Sequence, residues 1–161
     1  MLPKKTKYAI KALTALAKVY YDKKPLRISQ ISETEKIPRK FLEAILLELR
    51  HQGFVGSKMG VTGGYYLSKH PEEIMLSHII RATGGPIALL PCVSLNFYEA
   101  CDECPHEELC SLREVVLEVR EASLKILSKT SLTDLILKEK KLMRNLKNRM
   151  IYIIYFDCLK R

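Results

Sequence analysis

The first apolar pattern in the chain is helical. Ala9, Leu13, Leu16, Ala17 and Tyr20 recur at roughly helical steps; Thr6 stands where a cap belongs, and Asp22-Lys23-Lys24-Pro25 ends the run. A short second helix is expected in RISQISETEKIP, with Ser29 as N-cap and Ile28 and Ile31 facing a core. Thr34 to Ile37 reads as a tight connector. Pro38 suits the first turn of a third helix, where its missing N–H costs nothing. That helix, PRKFLEAILLELRHQG, carries Leu42, Ile45, Leu46 and Leu49 on one face. Arg39, Lys40, Glu43, Leu47 and Arg50 fall on the other side, and Gly53 is the natural C-terminal stop.

The pattern then changes. Phe54-Val55 and Tyr65-Tyr66-Leu67 read as two short strands around a Gly-rich loop that holds Lys58 and Met59. Pro71 is expected to open a further helix through Ile74, Ile79 and Ile80, broken at Thr83-Gly84-Gly85-Pro86. Helical spacing returns from about Leu112 to Lys129. Leu112, Val115, Val116, Val119, Ala122 and Ile126 form one apolar line, with a second through Leu117 and Leu124. A helix with two such lines can pack on its own domain and on a partner. Ser131-Leu132-Thr133-Asp134 resembles the start of a final helix, and the chain ends in a basic and then apolar tail.

Helix, helix, turn, helix and hairpin is the order of a winged helix-turn-helix. The expected fold is mainly α with a small β-hairpin, a winged helix-turn-helix plus a long dimerisation helix. The divisions are a DNA-binding domain at 1–83, a cysteine-rich sensor loop at 84–111, a dimerisation helix at 112–130 and a C-terminal helix and tail at 131–161. In such a fold the third helix enters the major groove by its N-terminal turn. Arg39 and Lys40 could then meet phosphate or guanine, and Glu43 a cytosine amino group. Arg50 shares that face, and Lys58 could reach the DNA backbone or minor groove.

Many three-helix cores share this pattern, so charge matters. The 161-residue chain holds 27 Lys and Arg against 18 Asp and Glu, a net charge of +9. That excess points to a polyanion, with nucleic acid ahead of anionic membrane. MLPKKTKYAIKALTALAKVYY lacks the uninterrupted apolar core of a signal peptide, because Lys11 and Lys18 interrupt it. No run approaches the roughly 20 apolar residues of a membrane span. The expectation is a cytoplasmic protein with double-stranded DNA as partner, without membrane contact or a small-molecule substrate. No nucleophile–base pairing, HExxH or phosphate loop is visible, and His51, His70, His78 and His106 are scattered, so no enzyme is expected.

Four of the five cysteines fall within CVSLNFYEACDECPHEELC, at Cys92, Cys101, Cys104 and Cys110. In a reducing compartment such a cluster points to metal or redox chemistry rather than to structural disulfides. The C-x8-C-x2-C-x5-C spacing can serve a tetrahedral zinc or an iron–sulfur cluster (2Fe–2S or 4Fe–4S), and a thiol switch stands behind them. Cys110 lies near a helix start, where the helix dipole favours a thiolate. Glu99, Asp102, Glu103, Glu107 and Glu108 would raise thiol pKa values in a bare loop, a cost that a bound cation relieves. His106 is a further possible ligand, more simply a solvated side chain, and Cys158 stands apart as a structural residue.

Taken in order, KYAIKALTALA, ISQISETEKIPRKFLEAILLELRHQGFVGSKMG, GGYYLSK and the thiols before the long helix resemble the IscR/NsrR-type winged-helix bacterial transcriptional regulators. The resemblance covers about Lys5 to Ile136. It implies a homodimer held by the helix after the cysteines, presenting two winged helices to a pseudo-palindromic operator. Cluster-binding members use three cysteines and one other ligand. Cys92 and Cys110 match the outer cysteines, Cys104 best matches the middle one, and Cys101 is extra. Glu43 matches an acidic position used in operator discrimination. Lys40 and Ala44 replace smaller polar and amide side chains, and Met59 stands in the place of a minor-groove arginine.

Overall fold

The computed structural model describes residues 2–60, 62–104 and 106–158, except for the side chains of 148–158. Cys158 and the apolar part of the tail lie outside the described side chains. The elements are α1 (Lys4–Lys18), α2 (Ile28–Glu35), α3 (Arg39–His51), β1 (Val55–Lys58), β2 (Gly64–Leu67), α4 (Leu76–Gly84), α5 (Ser111–Leu127) and α6 (Leu132–Cys158). A 3-10 turn, Tyr20–Asp22, follows α1.

The main core gathers around α1. Leu13 and Leu16 of α1 meet Ile31 of α2, the Leu42, Ile45, Leu46 and Leu49 face of α3, and Ile79 of α4, all essentially closed to solvent. Tertiary packing decides several helix starts. The first helix begins after Pro3, not at a Thr6 cap. Thr6 instead lies buried within α1 and meets the hydroxyl of Thr83 of α4 at 3.2 Å. Ser29 sits inside α2 rather than at its cap. There the Arg27 N–H donates to the side chain of Gln30 at 2.8 Å. Lys36 takes a left-handed conformation to close α2, and Pro38 stands at the N-cap of α3, one residue earlier than expected.

The end of α3 follows the expected rule. Gly53 adopts φ of 72°, its N–H reaches the Arg50 carbonyl, and the Phe54 N–H reaches the Leu49 carbonyl. This pair of bonds is a Schellman closure, and it feeds the chain directly into β1. The hairpin is antiparallel, with Val55 opposite Leu67 and Lys58 opposite Gly64. Lys58 therefore ends β1 rather than lying in the loop. Leu26 adds a bridge to Tyr65, with N–H to carbonyl bonds in both directions. A Cβ on Gly64 would lie 2.5 Å from the Leu26 carbonyl oxygen, so this approach requires glycine.

The helix expected from Pro71 starts later, at Leu76. Glu73 closes a turn onto His70, and Met75 is extended, bridging Ser131. Backbone bonds from Leu76 to Thr130 and from Leu132 to Ile74 hold this segment. Ser131 caps α6 as expected. Its N–H and hydroxyl both donate to Asp134, at 2.8 and 2.7 Å, and the Asp134 N–H donates back to its hydroxyl. Leu132 is wholly buried in the main core, with Leu135 and Ile136 packed beside it. The chain thus returns to α1 after the cysteine segment and α5.

A second, smaller core holds Cys92, Val93 and Val116, with Ala88, Leu90, Cys101 and Leu117 packed against it. Val116 turns inward here, away from the apolar line where its spacing placed it. Leu112, Val115, Val119, Ala122 and Ile126 remain on the open face of α5. Among the described residues no helix is long and apolar enough to cross a membrane.

Candidate functional site

One surface is formed by α3 and the hairpin. Burying Leu42, Ile45, Leu46 and Leu49 forces Arg39, Lys40, Glu43 and Arg50 outward, and all four are exposed. Arg39 and Glu43, one turn apart, pair at 3.3 Å with side chains 66% and 53% exposed, so the pair is open to exchange for another partner. Arg50 donates to the hydroxyl of Ser57 at 3.3 Å and ties the end of α3 to β1. Lys58 is exposed at the base of the loop, and Met59 beside it is 96% exposed. Behind this surface Tyr8 meets Phe41 edge-on, Lys5 pairs with Glu48 at 2.8 Å, and Lys11 donates to the last turn of α2 at Glu35. The first two contacts hold α3 against α1 and the third holds α2 against α1, and the spacing of apolar residues does not reveal them.

The second region is the cysteine segment. Cys92 is buried in the small core. Cys101 is half-buried against that core, and Cys104 and Cys110, also half-buried, bring their sulfurs to 3.8 Å. Cys110 is the N-cap of α5. The Arg113 N–H, then the Cys104 thiol and the Leu112 N–H, favour its thiolate and hold its pKa below the ordinary value. Cys104 is opposite in character. Hydrogen bonding to Cys101 first and Cys110 second keeps its proton, pushing its pKa up to about 12.

The acidic residues of the segment divide into two groups. Glu107 is mostly enclosed. Its Oε1 accepts from the Tyr98 hydroxyl at 3.0 Å and from the Cys101 N–H at 3.1 Å, while its Oε2 lies 3.3 Å from Arg113. The bond to Glu107 raises the Tyr98 pKa. Glu99, Asp102, Glu103 and Glu108 stay exposed, as does His106. By sequence the five carboxylates are alike; the contacts that single out Glu107 come from Tyr98, Cys101 and Arg113 together.

Among the described residues, no three His, Cys, Asp or Glu side chains already stand in a metal-holding array. The donor chemistry nevertheless fits a soft metal or an iron–sulfur group. Three half-buried thiols share one short loop, and one is held protonated by its neighbours, a burden that a bound cation relieves.

Comparison with known proteins places the chain. The Rrf2 family, described as iron-dependent transcriptional regulator, matches residues 2–138. An rrf2-like HTH-type transcriptional regulator of Rhodobacter capsulatus is 41% identical over 84% of this chain and 92% of its own. The HTH-type transcriptional regulator NsrR of Geobacillus kaustophilus is 30% identical over 89% of this chain and 95% of its own. Among solved structures, CymR, the global cysteine regulator of B. subtilis, superposes with a TM-score of 0.69 at 28% identity, covering 84% of this chain and 95% of its own. These relatives are transcriptional regulators rather than enzymes, in agreement with the sequence.

Proposed function

The chain belongs to the Rrf2 family of DNA-binding transcriptional regulators, and from that premise we propose that it is a homodimer whose grip on operator DNA is set by the state of its four-cysteine segment. The observation that carries this reading is the position of Cys110. One residue is at once a member of the thiol cluster and the cap of α5. A change at the sulfurs therefore acts directly on the helix that holds the dimer.

The dimer reading rests on the open face of α5. Leu112, Val115, Val119, Ala122 and Ile126 alternate three and four residues apart, the spacing of a coiled-coil seam, and all are exposed in the single chain. A second copy supplies the matching seam. The functional division then follows residues 1–83 for reading DNA, 84–111 for sensing, 112–130 for dimerisation and 131–161 for the final helix and tail. Two copies of α3 enter successive major grooves of a pseudo-palindromic duplex about 34 Å apart. Arg39, Lys40, Arg50 and Lys58 neutralise phosphate or read guanine, and Glu43 discriminates at a cytosine. A small shift of the α5 pair changes the spacing of the reading helices and weakens binding.

Cys92, Cys101, Cys104 and Cys110 would hold the cofactor, and an iron–sulfur cluster there supplies chemistry that is labile to oxidants. The chain's own part is to bury Cys92, to keep the other three thiols on one loop, and to deliver Cys110 to α5. The 3.8 Å approach of Cys104 and Cys110 also favours a second reading, a thiol switch without a cluster. Zinc held by the same thiols would act as a staple and not as a sensor.

Anaerobic purification, followed by an absorption spectrum and iron, sulfide and zinc analysis of one sample, separates these readings. The cluster reading expects a coloured protein with matching iron and sulfide. A colourless protein with one zinc per chain overturns it in favour of the staple. A metal-free protein after reconstitution overturns it in favour of the thiol switch.

A further inference from the structure

Two arginines on α5 hold the two ends of the cysteine segment. Arg113 and Arg120 are seven residues apart, two turns along one face. Arg120 donates to the Val93 carbonyl, next to Cys92, and its side chain is only 12% exposed. Arg113 pairs with Glu107, whose other carboxylate oxygen holds the Cys101 N–H and the Tyr98 hydroxyl. One arginine thus grips the start of the segment, and the other grips its end through a carboxylate.

The grip is incomplete. The Nε of Arg120 is buried without a hydrogen-bond partner, and the Nε of Arg113 lies 3.3 Å from the Glu107 carboxylate in an ion pair without hydrogen-bond geometry. A buried donor left unsatisfied is costly. At Arg120 that donor is available to a new carbonyl or carboxylate when the segment shifts, and at Arg113 a small shift can tighten or release the Glu107 pair.

We propose that Arg113, Arg120 and Glu107 form a two-point clamp that passes the state of the cysteine segment to α5. They are positioning residues, since none needs to touch a cofactor. The inference rests on the sensing role proposed above. It adds the route: one branch from Cys92 through Val93 to Arg120, the other from Cys101 through Glu107 to Arg113. Cys110 at the N-cap of α5 supplies a third, covalent connection at the helix start, and Arg120 carries movement two turns beyond Arg113.

The test compares amide hydrogen exchange along α5 in the full-length wild type, Arg120→Gln, Arg120→Lys and Glu107→Gln. Glu107→Gln retains an oxygen for Tyr98 and Cys101 but loses the charge that holds Arg113. Two triggers are applied in parallel: anaerobic loading with ferrous iron and sulfide, and alkylation of the thiols with N-ethylmaleimide. In the wild type either trigger should change exchange in 112–127 by about fivefold or more, the lower range of allosteric coupling. In Arg120→Gln and Glu107→Gln the same trigger should change exchange in 92–110 while 116–127 stays within about twofold of its starting rate. Arg120→Lys, which keeps a charged donor, should restore part of the response.

A wild-type response of 116–127 in either Gln variant overturns the clamp. So does an unresponsive α5 in the wild type under both triggers. A wild type that takes up no iron or sulfide, yet transmits alkylation to α5, refutes the cluster reading and supports the clamp. If Arg120→Gln fails to fold, Glu107→Gln and Arg120→Lys decide the outcome alone.

Discussion

The sulfur of Cys104 stands 3.8 Å from the sulfur of Cys110, and Cys110 is the N-cap residue of α5. On the proposed cluster reading, replacing Cys104 by Ala removes one of the four sulfur donors, and it also removes the contact to the Cys110 sulfur. The variant should lose most of its iron and sulfide and change its affinity for operator DNA. Metal analysis and DNA-binding titrations on the same preparation check both. Full loss of cofactor with unchanged affinity would falsify the gating role.

The open seam of α5 makes a separate prediction. Val119 is 42% exposed in the single chain and lies mid-seam. Val119→Glu buries an unpaired carboxylate in each half of a dimer, at a cost of at least about 3 kcal/mol to association. Light scattering should show a monomer, and far-ultraviolet circular dichroism should show the helices retained. A dimer of wild-type strength removes α5 as the interface.

On the reading surface, Arg39 and Glu43 are too exposed to support the fold. Their pair is worth about 0.5 kcal/mol or less. Arg39→Ala should leave the melting temperature almost unchanged. If Arg39 neutralises one phosphate per chain, the slope of log affinity against log salt should fall by about 0.9 per contact. Glu43→Ala should leave that slope alone and widen the range of sequences bound. Competition with single-base operator variants tests this.

Leu132 carries a prediction about domain limits. Its side chain is fully buried among residues of α1 and its neighbours, although it follows the cysteine segment and α5. Leu132→Ala should cost about 2–5 kcal/mol. Residues 1–83 alone should melt well below the full chain. Thermal unfolding followed by calorimetry measures both.

Asp134 gives a pH dependence with a defined sign. Its bonds from the Ser131 N–H and hydroxyl lower its pKa below the ordinary 3.8. The stabilisation is therefore complete above 3.8 and fades as pH falls through the lower folded-state value. Asp134→Ala should destabilise the protein by about 1 kcal/mol at neutral pH, and the difference from wild type should shrink in acid. A difference that grows on acidification contradicts this role.

The local periodicities were legible without any structure. The Leu42–Leu49 face, the Gly53 stop, the Ser131 cap and the two strands follow from backbone geometry acting over a few residues, and the structure contains each of them. The basic outer face of α3 follows as well, since burying one side of a helix exposes the other. That four thiols fall within a single short segment is likewise plain from the sequence.

Contacts between distant residues were not legible. Thr6 has the chemistry of a cap, but packing against Thr83 turned it into a buried polar contact. Pro71 looked like a helix start, yet the return of the chain at Ser131 drew Met75 into an extended bridge. Val116 shares the spacing of the outer line of α5, and the small core around Cys92 drew it inward. Glu107 resembled four other carboxylates until Tyr98, Cys101 and Arg113 converged on it. Side-chain spacing is a property of the local backbone and can be read along the chain. The partner that completes a hydrogen bond or fills a core lies tens of residues away, and only the folded chain brings it within reach.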